Sequence, residues 1–192
     1  MLVIVQARTS SKRFKNKILY SFYGKPLIQH VIEKIKKSKK VEIIVSTSRN
    51  KEDDKLVKFL KDKKIKYYRG SLNNVAKRLY ETAIFEKKDF FLRISGDSPL
   101  IDFKLINKIS DIFKKNRNFD LVTNIFPRTF PSGQSVEIIK TKTLGDNLKF
   151  FSKLDKEHVT RYFYKNYSKF KIKNFINKKQ TNIKKLSIDT RK

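Results

Sequence analysis

With 192 residues, 39% of them hydrophobic, the chain is long enough to bury one substantial core, and no apolar run approaches the roughly 18 residues a membrane span requires. It has no cysteine and two histidines, which excludes disulfides and thiol redox chemistry, and a zinc site is not expected. The formal charge of +29 is carried by lysines spread over the whole chain, alongside abundant Asn, Ile, Phe and Tyr, so it reads as codon composition. It does not read as a nucleic-acid stripe: an RNA-recognition sheet motif, a zinc finger and a basic zipper are all absent. Nucleic acid and membrane are not expected partners, although such a charge steers anions inward. The opening LVIV runs into Gln6 instead of a small-residue cleavage site, so a cytoplasmic protein is expected.

In chain order, Leu2 to Gln6 reads as a strand. Pro26 to Lys37 reads as a helix with Leu27, Ile28, Val31, Ile32 and Ile35 on one face, and Pro26 suits its first turn because a missing N–H costs nothing there. Val41 to Thr47 is the next strand, Asp53 to Lys61 a helix, Lys64 to Tyr68 a short strand and Asn74 to Phe85 a helix. Phe90 to Ile94 is a strand that stops at Gly96 and Asp97; Phe103 to Lys114 is a helix capped by Asp102; Phe119 to Thr123 is a strand. This alternation predicts an α/β fold, a mostly parallel twisted sheet with helices on both faces. After Asn124 the rhythm changes. Pro127 and Pro131 bracket an aromatic loop, Val136 to Ile139, Phe170 to Ile176 and Lys184 to Ile188 read as strands, and Thr141 to Phe150 and Asp155 to Tyr164 as helices. A strand-end aspartate so near Lys192 leads us to expect a closing helix beyond it. One domain over 1–192 is expected, with a core over 1–123 and a closing strand over 184–192.

Two strand ends carry the chemistry. The loop after the first strand holds Arg8, Thr9, Ser10, Ser11, Arg13, Lys15 and Lys17. A triphosphate carries about four negative charges, and cations with hydroxyl and backbone donors are what hold it against water. Arginine presents a planar fork to phosphate and lysine a mobile point charge. The alternative for this loop is a solvated basic segment. The second strand end offers Gly96, which permits close backbone approach, and Asp97, a hard oxygen donor; its alternative is a plain turn. Neither GxGxxG nor a Walker-type GK[ST] occurs, so neither a dinucleotide fingerprint nor a P-loop is present.

QARTSSKRFKNKIL followed by GKPLIQHVIEKI resembles the opening of the cytidylyltransferases that make CMP-activated acidic sugars, of the spore-coat-polysaccharide, acylneuraminate and CMP-ketodeoxyoctonate synthetase type. In their A-R-x-x-S-x-R-x-P-x-K-x-L pattern, Ala7, Arg8, Ser11, Arg13, Lys17 and Leu19 match, while Lys15 replaces the proline and Asn16 a frequent glycine. RISGDSPLID matches G-D-x-P-L, and LSIDTRK resembles the V-D-T/E-D segment. The resemblance implies a nucleotide-diphospho-sugar transferase fold, Rossmann-like, that moves CMP from CTP to an anionic sugar and releases pyrophosphate. It implies Mg²⁺ on Asp97 and Asp189, catalytic Arg8, Arg13 and Lys17, and nucleotide contacts from Gln6, Ala7, Arg8, Ser11, Arg13, Lys17, Gly96 and Arg69.

RTFPSGQSVEI and EHVTRYFY resemble acceptor segments, which would give Arg128, Gln134, Glu137, His158 and Tyr162 acceptor roles; Ser135 stands where relatives have aspartate. His158 reads equally as a first-turn helix residue at a subunit interface. RGSLNNVAKRLY resembles R-G-S-E-D-D-V, with Leu72, Asn73 and Asn74 in place of its acids. The segment over 124–176 is expected to form the acceptor side and a homodimer contact. The alternatives are a sugar nucleotidyltransferase using another nucleotide, a degenerate non-catalytic relative, and a basic nucleic-acid binder.

Overall fold

A computed structural model describes residues 1–10, 14–177 and 185–188. The buried run Leu2–Gln6 forms β1. A 3₁₀ turn at Lys17–Leu19 leads to a two-stranded hairpin, β2 (Ser21–Phe22) and β3 (Lys25–Pro26), and then to α1 (Leu27–Lys36). The expected stripe Leu27, Ile28, Val31, Ile32 and Ile35 is the buried face of α1. There follow β4 (Glu42–Ser48), α2 (Asp54–Asp62), β5 (Tyr67–Gly70), α3 (Val75–Phe85), β6 (Phe90–Ser95) and α4 (Phe103–Lys115). The later elements are β7 (Leu121–Thr123), β8 (Glu137–Lys140), α5 (Thr141–Asn147), α6 (Lys153–Glu157), α7 (Arg161–Lys165) and β9 (Ile172–Asn174).

Seven strands form one sheet in the order β5-β4-β1-β6-β8-β7-β9. All neighbours pair in parallel except β8, which runs antiparallel to both β6 and β7. Alternate residues of each strand feed two cores. Val3, Val5, Leu92 and Ile94 pack with α1, α2 and α4; Leu2, Ile4, Phe91 and Ile139 pack with α3 and with Leu144, Val159 and Phe163. The expected mostly parallel sheet with helices on both faces is therefore what the chain builds.

Three details differ from the sequence reading. The helix expected over Asp155 to Tyr164 is two short helices interrupted at His158, where φ is −105° and ψ 74°. A capping box between Ser152 and Asp155 starts α6, and the chain turns at His158, Val159 and Thr160 so that Val159 is fully buried. The β2–β3 hairpin was not anticipated, because Gly24 supplies the turn within a segment too short to show period-2 alternation. Of the strand expected over Lys184 to Ile188, residue 184 lies outside the described residues and Lys185 bridges Ser132.

Candidate active site

From β1 the chain crosses to β4 and β5 on one side and then returns to place β6 on the other, so strand order reverses between β1 and β6. Ligands of open α/β sheets bind beyond the carboxyl ends of strands at such a reversal. Both loops singled out in the sequence start there. Ala7 N–H donates to Ser46 O at 3.1 Å and Gly96 N–H to Gln6 O at 2.9 Å. A Cβ at Gly96 would lie 3.1 Å from both the Ala7 Cβ and the Gln6 carbonyl, which is why glycine suits this crossing.

The first loop is anchored from below by Asp53, a fully buried carboxylate that opens the α2 region. Its Oδ1 accepts from Thr9 N–H at 2.6 Å and Thr9 Oγ1 at 2.7 Å; its Oδ2 accepts from Ser48 N–H at 3.2 Å and from Ser48 Oγ. Asn16 closes the loop by donating its N–H to Thr9 O at 2.9 Å, with φ at +57°. Asparagine tolerates that left-handed conformation, so the glycine frequent in the resembling family is replaced with little strain.

The loop delivers Lys17, 7% exposed, to the second strand end, where its Nζ lies 2.7 Å from Asp97 Oδ2 while Ser95 Oγ donates to Asp97 Oδ1 at 2.7 Å. Arg8 reaches the other way and pairs with Glu157 at 2.8 Å, beside the interruption at His158. Arg78 on α3 is 1% exposed, donates to Ser71 O at 2.6 Å, and leaves its Nε without a partner. Burial, then the neighbouring charge of Arg8, lower its pKa to about 10 against the opposing pull of Asp53.

Asp97 opens onto a cavity of about 600 Å³ whose lining includes Arg93, Arg128, Glu137, His158, Arg161 and Lys165. Phe126 and Tyr164 form a stacked wall with centroids 4.6 Å apart and rings tilted by 11°. Arg161 is held by Asp155 at 2.6 Å. Burial raises the Asp155 carboxyl, but hydrogen bonds from Ser152 and Arg161 outweigh it and hold the group below its ordinary value. A carboxyl so held stabilises the fold above its unfolded pKa and loses that contribution as pH falls. Acid melting curves should therefore steepen below about pH 4, the range of an unperturbed aspartate, and Asp155→Asn should flatten that limb. Superimposable acid limbs for the two proteins would show that Asp155 contributes nothing there.

Of the residues expected at a site, Gln6, Ala7, Lys17, Gly96 and Asp97 meet at the β1–β6 reversal, the Arg8 side chain turns away to Glu157, and Arg128, Glu137 and His158 line the cavity beside it. Ser11, Arg13 and Asp189 lie outside the described residues. Gln134 is buried and holds two loops together: its Oε1 accepts from Asp102 N–H at 2.9 Å and its Nε2 donates to Leu100 O at 2.7 Å. Tyr162 does not line the cavity; its ring packs 4.8 Å from Phe151 and 5.7 Å from Phe163. Arg69 spends its fork on the end of β4, donating to Ser48 O at 2.9 Å and Asn50 O at 3.0 Å, and pairs with Asp54 at 2.7 Å. Asp53, Arg78, Arg93 and Tyr164 were not singled out. The motif RISGD already contained Arg93, and EHVTRYFY contained Tyr164, whereas nothing near Asp53 in sequence points to Thr9.

Comparison with known proteins agrees with this fold. The family model described as Cytidylyltransferase matches residues 2–192. The solved structure of a cytidylyltransferase from Leptospira borgpetersenii superposes with a TM-score of 0.90 at 30% identity, covering 98% of this chain and 81% of that one. An uncharacterized protein of Methanocaldococcus jannaschii is 37% identical over 171 residues, 88% of this chain and 69% of its own length. A 3-deoxy-manno-octulosonate cytidylyltransferase of Fusobacterium nucleatum is 28% identical over 122 residues, 64% of this chain and 49% of its own. The matched part thus spans about half the length of that curated relative.

Proposed function

Because this chain belongs to the cytidylyltransferase family, we propose that it transfers CMP from CTP to an acidic sugar of the nonulosonate or ketodeoxyoctonate type, with release of pyrophosphate, for a surface polysaccharide or glycan. The observation that carries this reading is the cavity next to Asp97 and Lys17, in which Arg93, Arg128, Arg161 and Lys165 outnumber the carboxylates Asp97 and Glu137. A pocket so charged favours an anionic acceptor beside an anionic nucleotide.

In this reading an acceptor hydroxyl oxygen attacks the α-phosphorus in line and releases its proton to solvent, the bond from phosphorus to the bridging oxygen breaks, and pyrophosphate leaves with that electron pair. Such chemistry depends on positioning and charge neutralisation. Arg8, Arg13 and Lys17 hold the β- and γ-phosphates, and Lys17 neutralises charge as it gathers on the leaving group. Backbone groups of Gln6, Ala7 and Gly96, with Ser11, hold the nucleoside end. Arg128, whose Nη1 donates to the Ser135 hydroxyl at 3.2 Å, is oriented to take the acceptor carboxylate.

No three acids or histidines gather among the described residues. A single strand-end carboxylate, Asp97, instead fits Mg²⁺, which takes one or two carboxylates and completes its shell with phosphate and water; the resemblance would supply Asp189 as the second. When bound, the ion supplies charge neutralisation at phosphate oxygens. The exposed Phe150, Leu154 and Tyr167 on the acceptor side support a homodimer contact there. No helix among the described residues is long and apolar enough to cross a membrane.

The test is a thermal shift with Mg²⁺ and each of CTP, UTP, ATP and GTP. A ligand at 100 times its Kd stabilises by about 2.7 kcal/mol, and each kcal/mol moves the Tm of a domain this size by about 2–4 °C. A rise of several degrees with CTP alone, lost in Asp97→Ala, is expected. A larger shift with another nucleotide would transfer the reading to that nucleotide. No shift with any, together with steeply salt-dependent nucleic-acid binding, would overturn it.

A further inference from the structure

Four polar side chains link three strands on the face of the sheet that α3 and α7 cover. Arg93 on β6 stands opposite Ile4 of β1 and Glu137 of β8, and Gln6 lies two residues beyond Ile4 on the same face. Arg93 Nε donates to Gln6 Oε1 at 2.7 Å, and its Nη1 pairs with Glu137 Oε2. The Tyr164 hydroxyl donates to Glu137 Oε1 at 2.6 Å. The Arg93 side chain is 17% exposed and that of Glu137 1%, so bulk water does little to weaken these bonds.

Chemistry sets the direction of every bond in this line. A guanidinium only donates and a carboxylate only accepts. Tyr164 must give its proton to Glu137, and burial followed by the charge of Glu137 keeps that phenol protonated far above its ordinary range. At the other end, Gln6 must turn its amide oxygen to Arg93. The two amide hydrogens on Nε2 then face away from the line, and Nε2 makes no hydrogen bond among the described residues. Gln6 is the last residue of β1, at the strand end beside the reversal between β1 and β6. An amide that could otherwise present either an oxygen or a nitrogen is restricted to donating.

We propose that Arg93 is a positioning residue that locks Gln6 into a donor-only contact and so selects an acceptor oxygen of the bound nucleotide. This rests on the nucleotide-binding reading above. The same guanidinium holds Glu137 in the cavity wall, so one side chain aligns the nucleotide crevice with the acceptor cavity. Arg93, to which the sequence resemblance assigns no role, thereby helps define what the end of β1 can recognise.

Substitutions separate this role from a structural one. Gln6→Glu keeps a partner for Arg93 but faces the nucleotide with oxygen. Arg93→Lys keeps a cation beside Glu137 but has no fork to reach both neighbours. Calorimetric CTP binding should weaken about tenfold in each, the scale of one well-made hydrogen bond to a charged ligand, while the unliganded Tm of Gln6→Glu stays within a few degrees of wild type. Adding Arg93→Lys to Gln6→Leu should cost no further affinity, because Arg93 acts through Gln6. CMP and pyrophosphate as separate probes locate the oxygen. Loss with CMP but not pyrophosphate assigns it to the nucleoside monophosphate, and the reverse assigns it to the leaving phosphates.

Wild-type affinity in Gln6→Glu would overturn the proposal even if Arg93→Lys did not fold. So would a full additional loss on adding Arg93→Lys to Gln6→Leu. Failure of the wild-type chain to bind any nucleotide would overturn the proposed function as well, so the two failures are distinguishable.

Discussion

Lys17→Met is expected to lower turnover, followed as pyrophosphate release from CTP with an acceptor that supports it, by about 10²–10³, the usual cost of removing one preorganised group that stabilises transition-state charge. Lys17 is a buried ammonium 2.7 Å from Asp97, reached over a loop closed by the Asn16–Thr9 hydrogen bond. Methionine keeps the stem and removes the charge, so packing around Ile18 and Leu19 is retained. The discriminating measurement is the pair of kinetic constants. A loss confined to kcat/KM, with kcat intact, would make Lys17 a binding group only; a fall in kcat places its charge on the leaving pyrophosphate. Unchanged turnover would remove Lys17 from the chemistry altogether.

Asp53→Ala is expected to have the largest effect on stability of any single change near the site. Four donors, from the backbone and hydroxyl groups of Thr9 and Ser48, converge on one fully buried carboxylate. Hydrogen bonds to a charged acceptor are worth about 1.5–3 kcal/mol each, and buried donors left unpaired carry their own cost. A loss of about 4 kcal/mol follows, or roughly 8–16 °C in Tm for a domain of this size. Because Thr9 belongs to the cation-bearing loop, the variant should also lose the thermal shift given by CTP. A Tm within two or three degrees of wild type would show that the loop holds its shape without this anchor.

The sequence made some of this visible and hid the rest for a physical reason. The stripe of α1 and the runs of β1, β4 and β6 are local: period 3.6 and a short, mostly apolar run can be read without knowing what they touch. The mostly parallel sheet followed from the alternation of strands and helices, but its strand order, with the reversal between β1 and β6, did not. Nor did the antiparallel insertion of β8, since Glu137–Lys140 reads as a short apolar run whatever its direction, and pairing with β6 is settled 44 residues away at Arg93. His158 illustrates the same limit: EHVTRYFY has a continuous helical pattern, and only the need to bury Val159 shows where it breaks. Asp53 looked like an ordinary acid at a helix start, because its partner Thr9 is 44 residues upstream. Strand-end motifs announced where the crevice lies, whereas the residues that aim and brace them are long-range partners.

The segment over 185–188 crosses the loop before β8 so closely that Leu186 N–H donates to Ser132 O at 2.6 Å and a Cβ at Gly133 would strike its backbone at 2.6 Å, and Ile188 N–H donates to Asp97 O at 3.2 Å. Asp97 is thus flanked by a lysine from residue 17 and by backbone from residue 188. During synthesis, the β1–β4–β6 half can collapse while the ribosome is still translating, but the surroundings of Asp97 cannot be complete until residue 188 has cleared the exit tunnel. A nascent chain therefore completes the surroundings of Asp97 and Lys17 only once the segment over 185–188 has emerged, later than the strands that carry those two residues.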